Sequence, residues 1–323
     1  MAETNGLRYT AVMTGYPPLL ASIREEIAQC GGTITFCRFM ELALYHPQHG
    51  YYTRGAAKLG RNGDYFTSVS VGPLFGQIIA RQLALWNVSE VTEFGGHTGQ
   101  LRQDVLTVLP GLTYRVIEVG DVWPERFRGC VLSNEFLDAL PVHRLCGEQE
   151  VYVTDGFRER LGPRSDPRLP ALPPGYRSEI NLQALDWLTA VSARMEPGTY
   201  LLTFDYGLER TEYFAPHHAT GHLQCYHRHK RHTDPYRHIG EQDITAHVEF
   251  TSLIEHGERL GLETVRFGDQ GRYLLEVGEP IIAALVEREA GRFSHLRNQL
   301  HQLTHPALMG RAFKVLIQRK RPQ

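Results

Sequence analysis

Apolar residues recur at helical spacing at Leu19, Leu20, Ile23 and Ile27, with charged residues between them, and predict an amphipathic helix over 19–31. Thr35 is placed to cap a second helix carrying Phe36, Phe39, Met40, Leu42 and Ala43, which Pro47 stops. Helical periodicity returns over 75–86. From residue 88 the pattern becomes short apolar runs separated by glycine turns and helical stretches. Strands are predicted at 88–94, 114–118, 130–134 and 200–204, with helices at 100–109, 180–195 and 250–260 and a closing strand at 313–318. Apolar strands alternating with helices predict an α/β fold on a mostly parallel sheet.

Three stretches break this pattern. Residues 45–72 alternate glycine, proline and asparagine with aromatics, which predicts an ordered loop rather than a linker. Residues 150–176 alternate and then turn proline-rich, predicting a hairpin and a surface excursion. Residues 209–243 are polar, histidine-rich and poor in aliphatics, predicting an inserted lid. The expected organisation is an N-terminal helical, substrate-covering segment (1–75). An α/β core (76–323) follows, with excursions at about 150–178 and 209–243.

Composition narrows the function. At 323 residues, with 42% hydrophobic and 22% charged content, the chain is long enough and apolar enough for a substantial core. A formal charge of −2 argues against a general polyanion binder, so nucleic acid is not an expected partner. No apolar run approaches the roughly 20 residues that cross a bilayer. The first residues lack the basic and apolar regions of a signal peptide. Five cysteines, Cys30, Cys37, Cys130, Cys146 and Cys225, form no CxxC pair and read as reduced thiols. Cytoplasm is the expected compartment. Seven histidines crowd 217–238 without a standard zinc pattern, so no metal is expected.

The chemistry concentrates at strand ends. Cys130-Val131-Leu132-Ser133 runs into Asn134-Glu135-Phe136-Leu137-Asp138-Ala139-Leu140-Pro141, which puts an amide and two carboxylates at and just beyond a strand's carboxyl end. Ligands of open α/β sheets bind there. Upstream, Glu93-Phe94-Gly95-Gly96-His97-Thr98-Gly99 joins a strand to a helix through a glycine turn, where backbone can approach a ligand closely. Each position also has a plain structural reading: a tight turn at Gly95 and Gly99, a surface carboxylate at Glu118, and a polar network capping the turn after Asn134.

With these pieces placed, the chain resembles the MidA family of class I S-adenosylmethionine-dependent methyltransferase-fold proteins. The resemblance rests on Tyr45-His46-Pro47 with Gly50-Tyr51-Tyr52, Gly63-Asp64-Tyr65-Phe66-Thr67-Ser68, the Asn134–Pro141 string, Asp205-Tyr206-Gly207, the stretch from Asp243 to Phe250, and the stretch from Met309 to Leu316. It implies a Rossmann-like, seven-stranded sheet and methyl transfer from S-adenosylmethionine to a protein side chain, arginine in the mitochondrial members. It maps the cofactor loop onto Glu93, Gly95, Gly96, His97 and Gly99, and the ribose-binding acid onto Glu118. Asn134, Glu135 and Asp138 become the catalytic polar motif, and Asp64, Tyr65, Thr67, Asp205 and Tyr206 substrate-contacting positions. A protein substrate or partner is implied, and a homo-oligomer stays open.

Two features depart from the family pattern. His97 stands where the usual Glu-x-Gly-x-Gly-x-Gly loop has its middle glycine. Only twelve residues (119–130) separate Glu118 from Val131, too few for the family's helix, strand and loop. A shortened sheet edge is therefore expected. The rival expectation is a non-catalytic descendant of the fold, acting as an assembly or binding protein.

Overall fold

A computed structural model describes residues 14–55, 67–288 and 295–322. Its central sheet runs, in spatial order, Leu262–Asp269, Phe313–Lys320, Tyr200–Leu208, Cys130–Asn134, Glu90–Phe94 and Thr113–Ile117, with the short Val248–Glu249 beside Tyr200–Leu208 as a seventh strand. The strands from Tyr200–Leu208 to Thr113–Ile117 are mutually parallel, while Phe313–Lys320 is antiparallel to both its neighbours.

Period-two alternation explains the layers. Leu202 and Phe204 face one side with Leu132 and Val91, packing on Phe75, Ile78, Ile79, Leu101, Tyr273 and Leu274. Leu201 and Val131 face the other, against Leu188, Val191, Phe250 and Leu253. Helices therefore cover both faces, and every residue of the central strand Cys130–Asn134 is buried. Thr113–Ile117 is the sheet's edge, and no strand follows it before Cys130–Asn134. The short 119–130 link thus has the predicted consequence.

A second layer covers the carboxyl ends of these strands. Helix Pro17–Gln29 and helix Phe36–Tyr45, whose Thr35 Oγ1 accepts from the Arg38 N–H at 3.1 Å, pack on a sheet ordered Thr33–Thr35, Gln149–Thr154, His143–Cys146, Arg177–Ile180. The excursions differ from expectation here. The first spans about 143–180 rather than 150–178. The histidine-rich stretch, expected as an inserted lid, is built into a sheet: Leu223–His227 pairs with both Lys230–His232 and Asp243–Ala246. Leu223, Cys225, Ile244 and Ala246 point inward and join Ile23, Phe36, Phe39, Val151 and Val153 in one apolar cluster. The N-terminal helices and both excursions share this core.

All five cysteines are free. No helix among the described residues is long and apolar enough to cross a membrane.

Candidate functional site

A cavity of about 960 Å³ lies where the covering layer meets the strand ends. That is the upper end of the range for small-molecule sites, with room for more than one ligand. Of the positions singled out in the sequence, it is lined by Thr67, Glu93, Gly95, Gly96, His97, Glu118, Asn134 and Glu135. Gly99 sits just beyond, at the first turn of helix Gln100–Val108, with φ +71°. Asp64 and Tyr65 lie outside the described residues.

The glycine turn is built as its sequence demands. Gly95 has φ +69°, and a Cβ there would come within 2.9 Å of the Phe136 ring. A Cβ on Gly96 would stand 2.8 Å from Glu93 Oε2. Glu93 is therefore tucked beneath the turn, where its Oε2 accepts from the Tyr114 hydroxyl at 2.9 Å and burial pushes its carboxyl up to about 7. His97 adopts φ +48°, the left-handed conformation a glycine would take without cost. Its side chain is exposed at the lip of the cavity, and its backbone N–H donates to Glu118 Oε1 at 2.6 Å. Turn and second-strand acid are thereby joined. Beyond Glu118 the short link contributes Val119, Gly120 and Trp123 to the wall, with Trp123 edge-on to Phe94 at 4.8 Å.

Glu135 sits at the tip of the central strand with φ +51°. A non-glycine residue held there carries local strain, on the order of 1–3 kcal/mol. Its Oε1 accepts from the Ser68 N–H at 2.7 Å and from Asn134 Nδ2 at 3.2 Å. Burial, reinforced by the Asp205 charge, pushes its carboxyl up to about 8. Asn134 is buried, and its Oδ1 has no hydrogen-bond partner among the described residues. A buried acceptor open on a cavity wall is available to a donor from a ligand.

Asp138, Asp205 and Tyr206 are not on that wall. Asp205 is fully buried and works as a brace: Oδ2 accepts from the N–H groups of Phe136 and Leu137 at 3.2 and 2.8 Å, and Oδ1 from that of Tyr206 at 2.9 Å. Asp138 lies in the same buried acidic group; burial, with the charges of Asp205, Asp243 and Glu135, raises its carboxyl well above the usual range. The Tyr206 ring lies 3.8 Å from that of Phe313. Of the expected polar motif, Asn134 and Glu135 therefore face the cavity and Asp138 does not, with Asp205 holding the turn behind them. Sequence reasoning missed Ser68, whose contribution is a backbone N–H, and Tyr45 and Tyr52, which also line the cavity. Among the histidines, His217 Nε2 lies 2.9 Å from Glu212 Oε1 on an exposed turn, with His218 beside them, away from the cavity wall.

Burying these carboxyls gives stability a pH signature. Glu93 and Glu135 keep protons in the folded state that the unfolded chain releases near pH 4, so stability falls as pH rises toward their folded values of about 7 and about 8. His247, pushed down to about 4 by burial, acts in the opposite sense, but only up to the unfolded value near 6.5. Between pH 6.5 and 8 the carboxyls are expected to dominate, and urea unfolding of the ligand-free protein should show decreasing stability. An increase over that interval would contradict the burial of Glu93 and Glu135.

Residues 113–268 match the family described as "Putative S-adenosyl-L-methionine-dependent methyltransferase". The chain is 27% identical to the mitochondrial protein arginine methyltransferase NDUFAF7 homolog of Drosophila melanogaster, over 94% of this chain and 85% of that protein. It is 24% identical to the mitochondrial protein arginine methyltransferase NDUFAF7 of Mus musculus, over 92% and 83%. Among solved structures it is similar to a Burkholderia thailandensis protein crystallised with S-adenosyl-homocysteine bound, with a TM-score of 0.83 and 32% identity over 94% of this chain and 92% of that one.

Proposed function

This chain belongs to the MidA family of S-adenosylmethionine-dependent methyltransferases, and from that premise we propose that it methylates arginine side chains of a protein. One observation favours a cationic acceptor. Among the described residues lining the cavity are six carboxyl groups, Glu41, Glu93, Asp104, Glu118, Glu135 and Asp186, and no lysine or arginine. Such a wall suits a cationic donor beside a cationic acceptor. Protein arginine methylation is also the named activity of the curated relatives.

The residues present fit the cofactor. The turn from Gly95 to Gly99 would take its amino-acid end, Glu118 would accept from the ribose hydroxyls, and Val119, Gly120 and Trp123 would hold the adenine. When bound, S-adenosylmethionine supplies a methyl group on a sulfonium already activated for transfer to a nitrogen. The protein's own work is alignment, charge and the removal of one proton. A guanidinium has an ordinary pKa of about 12.5 or higher, so it must lose a proton as it is methylated. Glu135 takes that proton on its carboxylate, and burial makes it a stronger base than an exposed glutamate. Asn134 Oδ1 accepts from a guanidinium N–H, and Asp205 fixes the backbone that positions both residues.

Incubating the protein with a cell extract and S-adenosylmethionine carrying a tritiated methyl group tests this reading. Hydrolysis of the labelled proteins should return the label in methylarginines. Label in methyllysine, or an extract whose proteins stay unlabelled, would contradict it.

A further inference from the structure

The motif Tyr45-His46-Pro47 with Gly50-Tyr51-Tyr52 takes no part in the chemistry described so far, yet it opens onto the cavity. Helix Phe36–Tyr45 ends before Pro47, and the chain doubles back. The N–H groups of Tyr51 and Tyr52 donate to the carbonyls of Ala43 and Leu44, at 3.0 and 2.9 Å. Gly50 makes the return possible, since a Cβ there would lie 2.6 Å from the Leu44 carbonyl oxygen. Tyr51 is fully buried in the covering layer. Tyr52 instead lies against Tyr45, with ring centroids 5.4 Å apart and planes 18° from parallel.

Both phenols are engaged elsewhere. Tyr45 donates its hydroxyl to the Ala139 carbonyl at 3.0 Å, within the same motif as Glu135, and Tyr52 donates to Asp243 Oδ1 at 2.7 Å. The two rings are thereby fixed to the core, and what they lend the cavity wall is aromatic surface. The same cavity holds the open acceptor Asn134 Oδ1 and the carboxyl of Glu135. An aromatic surface and hydrogen-bond acceptors lining the same cavity together match a group that is flat, cationic and ringed with N–H donors.

We propose that Tyr45 and Tyr52 form an aromatic wall that binds the acceptor's guanidinium and presents it to Asn134 and Glu135. The proposal rests on the arginine methyltransferase reading and adds the residues that select the acceptor. A guanidinium can stack on a ring and still offer its edge to carboxylate and amide oxygens. An ammonium has no plane to stack and holds its water more tightly, so the wall favours arginine over lysine.

The test uses the full chain saturated with S-adenosylhomocysteine and titrated with Nα-acetyl-arginine amide, its lysine counterpart and the neutral citrulline counterpart. Wild type should bind the arginine compound at least about tenfold more tightly than either of the others. Tyr45→Leu and Tyr52→Leu should each weaken arginine binding, roughly two- to thirtyfold, while S-adenosylhomocysteine affinity stays unchanged. Should the leucine variants fail to fold, Tyr52→Phe with stepwise fluorination keeps the shape and weakens the ring face. Arginine affinity should then fall with each fluorine. Leucine or fluorinated variants that bind arginine as wild type does would overturn the wall while leaving the methyltransferase reading intact. Loss of S-adenosylhomocysteine binding in folded leucine variants would reassign the tyrosines to the cofactor and also overturn it. A wild type that binds arginine and citrulline alike would remove the guanidinium acceptor itself, and the wall with it.

Discussion

Glu135→Gln is expected to lower turnover by a factor of about 10²–10⁴, the usual worth of a positioned acid–base group. S-adenosylhomocysteine affinity should stay within about threefold. Glutamine keeps an oxygen for the Ser68 N–H and closely copies the protonated side chain, so folding is spared. What it cannot do is accept a proton from the guanidinium. The pH profile separates this role from a structural one. Burial places the free carboxyl at about 8, so kcat/KM should climb with pH and level off above that value, because only the ionised form is competent. A bound cation beside Glu135 favours the ionised form, so the corresponding limb in kcat should appear at lower pH. The glutamine variant should lose the limb. Retained turnover, or an unchanged profile in Glu135→Gln, would remove the base from the mechanism.

The second large effect is expected at the glycine turn. Gly95→Trp forces a side chain onto a backbone at φ +69° and drives its Cβ to within 2.9 Å of Phe136, at the wall the cofactor must approach. Wild type with S-adenosylhomocysteine at a hundred times its dissociation constant should be stabilised by about 2.7 kcal/mol. The variant should show no stabilisation and no transfer. Gly95→Ala should fall between the two, since it adds the Cβ without the indole. A tryptophan variant stabilised as much as wild type would move the cofactor away from this turn.

Much of the core could be read along the chain because period and punctuation agreed. Cys130-Val131-Leu132 is a short apolar run that gives way to the polar motif beginning at Asn134, and Cys130–Asn134 folds as a strand over the predicted residues. Thr35 was legible as a cap because a hydroxyl before an apolar helical pattern has few other uses. Other regions lacked such agreement. Strand Leu262–Asp269 lies at the sheet edge with mostly half-buried residues, so no apolar run announced it. Helix Gln270–Arg288 carries Gly271, Gly278 and Pro280, which interrupt its periodicity. The histidine-rich segment hid a sheet because its inward residues, Leu223 and Cys225, meet Ile244 and Ala246 only across a strand pair about twenty positions apart.

The site was legible in residue type and less so in arrangement. Asn134 and Glu135 were found because polar groups at a parallel strand's carboxyl end have a reason to be there. Asp138 and Asp205 share that address but turn into the protein, and sequence spacing alone does not tell a ligand-facing carboxylate from one bracing backbone amides. His97 and the short 119–130 link are the two departures from the family pattern. In the folded chain His97 stands exposed at the rim and the link supplies Trp123 to the wall. Ser68 could not be foreseen, since a backbone N–H leaves no mark on residue type.

The central claim is that a sheet ending at Thr113–Ile117 still holds the methyl donor beside Glu135. A crystal of the protein grown with S-adenosylhomocysteine tests it most directly. The account predicts density for the ligand running from the Gly95–Gly99 turn past Glu118 to Trp123, with its sulfur facing Asn134 and Glu135. An empty cavity, with the ligand elsewhere on the protein, would contradict it.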